Sequence, residues 1–364
     1  MKYTGLAIAQ SDGKTNPQSF FLFEVSQLSL KTYVAKRMLL FIPMLFITLT
    51  SLFIVLRVMP GDPVEALYGG KAPAHVLNEI RHKLGFDKPI FFQYFDYFSS
   101  LVSGSLGISL ESGKSVAYEI GRTWPITLQY CLLTMIFTVV VGLLLGIASA
   151  FKKDRIHDFI IRLLSLIAFS IPVFWLGLLL QFVFGLRLGW FPLGGLYSSS
   201  SVFNPDITGI ALLDSLLKLD LPVFADVLHH LILPSIALGA EYAAVTCRIS
   251  RANIIQTLDE DYILAARAKG LREISVLFKH ALRNALLPVI TIWAWAFAAL
   301  LGGSVIIERI FSLPGMGNLL FSAISYRDFS VIQGILMFFA IITLVTSVVI
   351  DVIYAILDPR IRYM

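Results

Sequence analysis

The chain has 364 residues, 57% of them hydrophobic and 15% charged, with a net charge of +5 and a mean hydropathy of +0.79. Soluble domains carry roughly 45–50% apolar and about 25% charged residues, so a single soluble globule is excluded and a polytopic membrane protein is expected. Most basic residues sit beside apolar runs, so membrane topology accounts for them better than a nucleic-acid partner does.

The first 33 residues are polar and mixed, with Ser11-Asp12-Gly13 and Thr15-Asn16-Pro17. No basic stretch leads directly into an apolar one there, so this is read as a cytoplasmic tail rather than a signal peptide. A membrane-spanning helix needs about twenty mostly apolar residues. Six runs qualify, at 34–58, 126–151, 159–185, 229–249, 286–308 and 330–357. The third holds Pro172 and Gly177, which predicts a kink. The expected fold is an all-α membrane protein of about six spans. Its parts are a tail (1–33), a first span (34–58), an extracytoplasmic region (59–125), a core of five spans (126–357) with a cytoplasmic loop at 250–287, and a C-terminal end (358–364). Within 59–125, Ala74–Leu84 and Ile90–Leu101 have helical character.

Orientation follows from the positive-inside rule. Lys31, Lys36 and Arg37 precede the first span, and Lys152, Lys153 and Arg155 separate the second and third. Arg248, Arg251, Arg267, Lys269, Arg272, Lys279 and Arg283 separate the fourth and fifth, and Arg360 and Arg362 follow the sixth. All four segments fall on one side, so both termini are expected in the cytoplasm.

The fourth connection is far longer than two spans require. Asp261, Tyr262, Ile263, Leu264, Ala265, Ala266, Arg267, Ala268, Lys269, Gly270 and Leu271 are followed by an amphipathic pattern of Leu271, Ile274, Leu277, Phe278, Ala281 and Leu282. The alanines favour a helix, Gly270 suits a left-handed C-terminal stop, and Pro288 is expected to open the fifth span. A helix–turn–helix with one apolar and one basic face results. On the residues alone, it is either a lipid-bound interfacial helix or a docking element.

Several further motifs recur in order. They are Arg57-Val58-Met59-Pro60-Gly61-Asp62-Pro63, Leu84-Gly85-Phe86-Asp87-Lys88-Pro89 with Gln93-Tyr94, and Gly104-Ser105-Leu106-Gly107-Ile108-Ser109. Then come Ser170-Ile171-Pro172-Val173-Phe174-Trp175, Glu308-Arg309-Ile310-Phe311-Ser312-Leu313-Pro314-Gly315-Met316-Gly317, Arg327-Asp328-Phe329 and Asp358-Pro359-Arg360-Ile361-Arg362. With Ala-Arg-Ala-Lys-Gly-Leu at 266–271 and Arg-Asn-Ala-Leu-Leu-Pro at 283–288, the chain from about residue 33 resembles the B-type permease subunit of peptide/nickel ABC importers. Leu264 stands where the general importer loop has Glu, and the Gly-to-Pro spacing is longer than in sugar permeases. Both departures match the peptide/nickel family.

The resemblance implies a type I importer permease fold in the bacterial cytoplasmic (inner) membrane. It also implies partners: a homologous C-type permease, two ABC ATPase subunits and an extracytoplasmic substrate-binding protein. ATP and Mg would be bound by the ATPases, none by this chain, which would hold no metal and be no enzyme. The cargo would be di- or oligopeptides, with glutathione or nickel and other metal chelates as alternatives. Residues 261–271 would be the ATPase-coupling loop, with Ala266 facing the ATPase groove. The turns Pro60, Gly61, Asp62, Pro63 and Pro314, Gly315, Gly317 would shape the outer face as scaffold.

Glu241 is the acidic residue deep in the fourth run, which marks a pathway group or a partnered one. It would meet a peptide amino group in the translocation cavity, or pair with Arg248 or the partner permease. His229 and His230, adjacent on a helix, would point apart and chelate poorly. Gly107 to Gly113-Lys114-Ser115 imitates a phosphate loop at the wrong spacing and without a preceding strand. A secondary transporter is disfavoured by the lack of internal repeats, and an intramembrane hydrolase by the lack of a catalytic constellation within the spans.

Overall fold

A computed structural model describes residues 30–58, 73–83, 85–198, 203–303 and 305–357. The Pro60–Pro63 turn, the tail before residue 30 and the end after residue 357 lie outside these. The described residues are mostly helical, with one isolated bridge between Ile108 and Ser115. In chain order the elements are α1 (Leu30–Val58), α2 (Ala74–Lys83), α3 (Ile90–Val102), α4 (Val116–Phe151), α5 (Ile156–Ser170) and α6 (Val173–Leu180), which runs on as a π-helical turn to Arg187. They continue with α7 (Ala211–Leu217), α8 (Leu221–Leu258), α9 (Asp261–Ala268), α10 (Leu282–Gly303), α11 (Val305–Ile310), α12 (Met316–Ser325) and α13 (Phe329–Leu357).

Among the described residues, four helices are long and apolar enough to cross a membrane: Val116–Phe151, Leu221–Leu258, Glu273–Gly302 and Phe329–Ile350. The pair α5 and α6 makes a fifth if counted as one broken span, and α1 adds a shorter apolar piece, Leu39–Val55. The expected kink in the third run is thus a break of 103°. Ile171 precedes a proline, which disfavours helical backbone. It and Pro172 are both extended, with ψ of 126° and 131°.

Pro288 does not open a span as expected. Helix α10 begins at Leu282 and is continuous backwards through a π-helical turn (Val276–Ala281) to Glu273. The second half of the loop is therefore the start of the spanning helix itself.

The centre of the bundle is the pair α4 and α8. Gly142-Leu143-Leu144-Leu145-Gly146 is a small-xxx-small pattern of the kind that lets membrane helices approach closely. A Cβ on Gly142 would fall 2.6 Å from the Thr246 Cβ, and one on Gly239 would fall 2.7 Å from the Phe137 ring. Around this seam Tyr130, Leu231, Leu300, Leu301, Ile307 and Phe311 form the main core. Asp220 caps α8, its Oδ1 accepting from the Val223 amide at 3.2 Å, and Ser115 caps α4 through the Tyr118 amide at 3.3 Å.

At the end of the bundle opposite the basic loops, two buried carboxylates knit distant motifs together. Asp328 is 1% exposed. It accepts from the Ser109 hydroxyl at 2.7 Å, the Leu110 amide at 2.8 Å, the Glu111 amide at 3.3 Å and the Val331 amide at 3.2 Å. The Gly104–Ser109 and Arg327–Phe329 motifs are thus one structure. Glu308 is fully buried. It accepts from the Thr127 hydroxyl at 2.8 Å and the Asn318 amide at 3.1 Å, while Thr127 Oγ1 accepts from the Met316 amide at 2.8 Å. A Cβ on Gly315 would lie 2.5 Å from Glu308 Oε2, so this turn needs glycine.

Candidate coupling loop and translocation site

Helix α9 follows α8 after a two-residue turn and ends where Gly270 turns left-handed, with φ of +76°. A proline or β-branched residue is strained there. Beyond it, Arg267 makes two hydrogen bonds to the Glu273 carboxylate, at 3.0 and 3.2 Å, across the turn. Asn284 donates to the Tyr262 hydroxyl at 2.8 Å. Ile263, Ala266, Val276 and Ala281 form a small core of their own, with Leu258 packed against it. The loop is a prebuilt knob, held by side chains on both of its halves.

Its outer face carries Tyr262, Leu264, Leu271, Ile274 and Phe278, between 40% and 66% exposed. Asp261, Ala265, Ala268, Lys269 and Gly270 are also exposed. Ala266 is not: it is 7% exposed and packs inward, against the expectation that it faces a partner groove. On a helix Ile263 and Ala266 share one face three residues apart, and the loop's own core claims that face.

Glu241 sits near the middle of α8, half-buried. It lines a cavity of about 320 Å³ with Val173, Phe174, Leu238, Tyr242, Ile306 and Ile307. The carboxylate has no ion-pair or hydrogen-bond partner among the described residues. Arg248 does not pair with it; the guanidinium lies over the Phe169 ring at 4.7 Å. An unpaired carboxylate in a mostly apolar pocket favours a cationic visitor. The broken span supplies Val173 and Phe174 to this pocket, directly after Pro172.

The histidines diverge. His229 Nε2 lies 2.7 Å from the Trp190 carbonyl, and His230 Nδ1 lies 2.8 Å from the Asp226 carbonyl. No cluster of three metal-ligating side chains occurs among the described residues. Residues 107–115 form a turn leading into the α4 cap, with the Lys114 ammonium over the Tyr118 ring at 4.9 Å.

Sequence reasoning passed over one group. Asp158, fully buried at the start of α5, accepts two hydrogen bonds from Arg251 of α8, both at 2.8 Å. It also accepts from the Ser149 hydroxyl and from the Asp154 amide at 3.1 Å, and Arg162 lies 3.5 Å away. This pair clasps α4, α5 and α8 together at the basic end, close to the loop. The one local signal was an acidic residue inside a basic connection; its partner is 93 positions away.

A family model described as "Binding-protein-dependent transport system inner membrane component" matches residues 142–363. A model of the N-terminal part of the same kind of membrane component matches residues 30–131. The chain is 40% identical over 333 residues to the di/tripeptide transport system permease protein DppB of Pseudomonas aeruginosa, covering 91% of this chain and 99% of that protein. It is 38% identical over 331 residues to the glutathione transport system permease protein GsiC of Escherichia coli, with the same coverage of 91% and 99%. Among solved structures, an inward-facing form of the MetNI methionine ABC transporter matches with a TM-score of 0.50 and 16% identity. That match covers 66% of this chain and 97% of the matched one, and it bears on the fold alone. The chain belongs to the family of inner membrane components of binding-protein-dependent transport systems.

Proposed function

We propose that this chain is one of the two membrane subunits of an ATP-driven importer of di- and oligopeptides. It works beside a homologous C-type permease, two ATPase subunits that bind ATP and Mg, and an extracytoplasmic binding protein. The basic end faces the cytoplasm, both termini lie there, and residues 261–271 dock on an ATPase. The observation that carries this reading is the loop with its own core and an exposed apolar face beside Gly270. A lipid-held helix would not need that internal core; a contact that transmits force would.

ATP binding closes the ATPases and carries the docked loops inward. The bundle has two arrangements, and the ATPases bias it between them. Glu241 meets the ammonium group of a peptide released into the cavity. The cargo assignment is supported by relatives whose names specify di/tripeptides and glutathione, both short peptidic molecules. Glutathione itself is the second reading, because the two identities differ little.

The test is purification from solubilised membranes, followed by uptake of a labelled dipeptide and of labelled glutathione. Stoichiometric ATPases and a second permease are expected with the wild type. Leu264→Asp and Ala265→Asp should lose the ATPases and uptake while still inserting in the membrane. A lone homo-oligomer, or normal uptake in both variants, overturns the reading. Preference for one labelled substrate decides between the two cargoes.

A further inference from the structure

Helix α3 does not lie across the end of the bundle; it runs down the side of α1. Near its start, Tyr94 shares a hydrogen bond of 2.9 Å with Thr50, and Phe53 packs on the Tyr94 and Tyr97 rings at 5.3 and 5.5 Å. Further along, Phe98 meets the Phe46 ring at 5.2 Å. The contacts step forward on α3 and backward on α1, so the two helices run antiparallel. A helix lying flat would cross α1 once. Phe46 is near the middle of the apolar piece Leu39–Val55, and α1 packs along the spanning helix α13. Helix α3 therefore descends beside apolar helices to about the level of their middle.

Phe91, Phe95, Phe98 and Val102 recur at i, i+4, i+7 and i+11, which puts them on one stripe of the helix. Phe91, Phe95 and Val102 are 63%, 57% and 89% exposed. A contiguous exposed apolar surface marks an interaction site. Phe98 joins the stripe to Phe46, which is itself 52% exposed. The apolar outer surface of α1 thus continues onto α3 without a polar seam. The polar residues of α3 lie elsewhere: Gln93, Asp96 and Ser100 line a polar cavity with Ser330 and Gln333 of α13. The charges gather at the helix entrance, where His82 lies 2.6 Å from Asp87 and Lys88 reaches Asp96 at 2.6 Å.

The far end of α3 satisfies its own polar groups, as backbone inside a bilayer must. The amides of Ser103, Gly104 and Ser105 donate to the carbonyls of Ser99, Leu101 and Ser100, at 3.0, 3.0 and 2.9 Å. The Ser100 and Ser103 hydroxyls fold back onto the Tyr97 and Ser100 carbonyls, each at 2.8 Å. Gly104 then turns left-handed, with φ of +77°, and the chain returns to Ser109, bound to Asp328 just ahead of α13. Residues 103–109 reach at most about 25 Å when extended. That is enough to climb back along the 13 residues of α3, which are about 20 Å long.

We propose that α3 dips into the leaflet opposite the basic loops as a re-entrant anchor, its stripe of Phe91, Phe95, Phe98 and Val102 lying against lipid acyl chains. The cargo and coupling readings play no part in this. The test uses the full chain with its co-purifying subunits in lipid nanodiscs. Single nitroxides are attached at Phe91→Cys, Phe95→Cys and Val102→Cys; these side chains are exposed, so the labels displace nothing from the core. Cys131 and Cys247 are buried, and the unsubstituted chain measures their background. Ile136→Cys, exposed within the apolar run of α4, is the lipid reference. Lys114→Cys, in the exposed turn before α4, is the aqueous one. Collisions with oxygen, which partitions into lipid, are compared with collisions with nickel ethylenediaminediacetate, which stays in water. The oxygen-to-nickel ratio should exceed that at Lys114 at all three sites and rise from position 91 through 95 to 102, toward the value at Ile136. Ratios as low as at Lys114 overturn the proposal by placing the stripe in water. Equal ratios at the three sites overturn the dip and lay α3 flat on the surface. Few collisions with either reagent overturn the lipid contact by putting a second protein over the stripe.

Discussion

Removing Arg251 should do more damage than removing Asp158, although they form one pair. The Asp158 side chain is 0% exposed and that of Arg251 is 20% exposed. Breaking a buried ion pair by deleting one partner costs about 3–5 kcal/mol, because the other charge stays buried and uncompensated. Arg251→Ala strands the more buried member, with the Ser149 hydroxyl, the Asp154 amide and the half-exposed Arg162 at 3.5 Å left to it. Partial solvation of the Arg251 site puts the expected loss at the lower end, about 3 kcal/mol. Asp158→Asn strands a guanidinium that can extend toward water, so about 1.5 kcal/mol is expected, the low end for a hydrogen bond to a charged group. Asp158→Leu combined with Arg251→Met should recover most of the stability, since well-packed apolar replacements of such pairs are often neutral. Reversible unfolding in mixed micelles measures all three. An Arg251→Ala loss no larger than that of Asp158→Asn, or a double variant as unstable as Arg251→Ala, would refute the reasoning. Dipeptide uptake per ATP hydrolysed, measured on the double variant, then asks whether the clasp also serves coupling. A stable double variant with a lowered ratio says that it does.

Other consequences of the structure are open to simpler measurements. Gly142→Leu should destabilise the bundle by about 1–3 kcal/mol, the usual range for overpacking, because its side chain would enter Thr246; the unfolding midpoint checks this. Ala266→Asp should unfold the loop by burying a charge in its core and expose it to limited proteolysis, whereas Ala265→Asp should leave protease resistance intact. Burial alone would raise Asp214, but hydrogen bonds from the Thr208 hydroxyl and from the amides of Thr208, Ile207 and Gly209 outweigh it and hold the carboxyl below its ordinary value. Its stabilising contribution is therefore complete above about pH 4, the ordinary carboxylate value, and is lost as pH falls through the lowered one. Hydrogen exchange of the Ile207, Thr208 and Gly209 amides, corrected for intrinsic rates, should show protection that is flat above about pH 5 and falling below about pH 4.

The parts of this fold visible in the sequence are those governed by local rules. Apolar run length located the long helices, Gly270 located the loop stop, and the alanines before it located α9. Pro172 was visible as an interruption, but not as a 103° break, because the angle is set by the extended backbone of both Ile171 and Pro172. The inward turn of Ala266 depends on Val276 and Ala281, which fold back over it. Glu241 stood out by its depth in an apolar run. Its cavity did not, since Val173, Phe174 and Ile306 come from elements far away in the chain. Asp158 with Arg251, and Asp328 with Ser109, are long-range pairs. Their residues look like ordinary surface polar groups until packing removes the water around them.

Helix α8 has 38 residues, which makes it about 57 Å long at 1.5 Å per residue. Glu241 stands close to its midpoint, Leu221 is at one end, and Leu258 with the knob of residues 261–271 is at the other. If such a rod tilts rigidly by about 10° about its middle, each tip travels about 5 Å, in opposite directions. The carboxylate at the fulcrum hardly moves. A see-saw of this kind opens one mouth of a passage as it shuts the other, and keeps Glu241, the anchoring point proposed for the cargo, still while it does so.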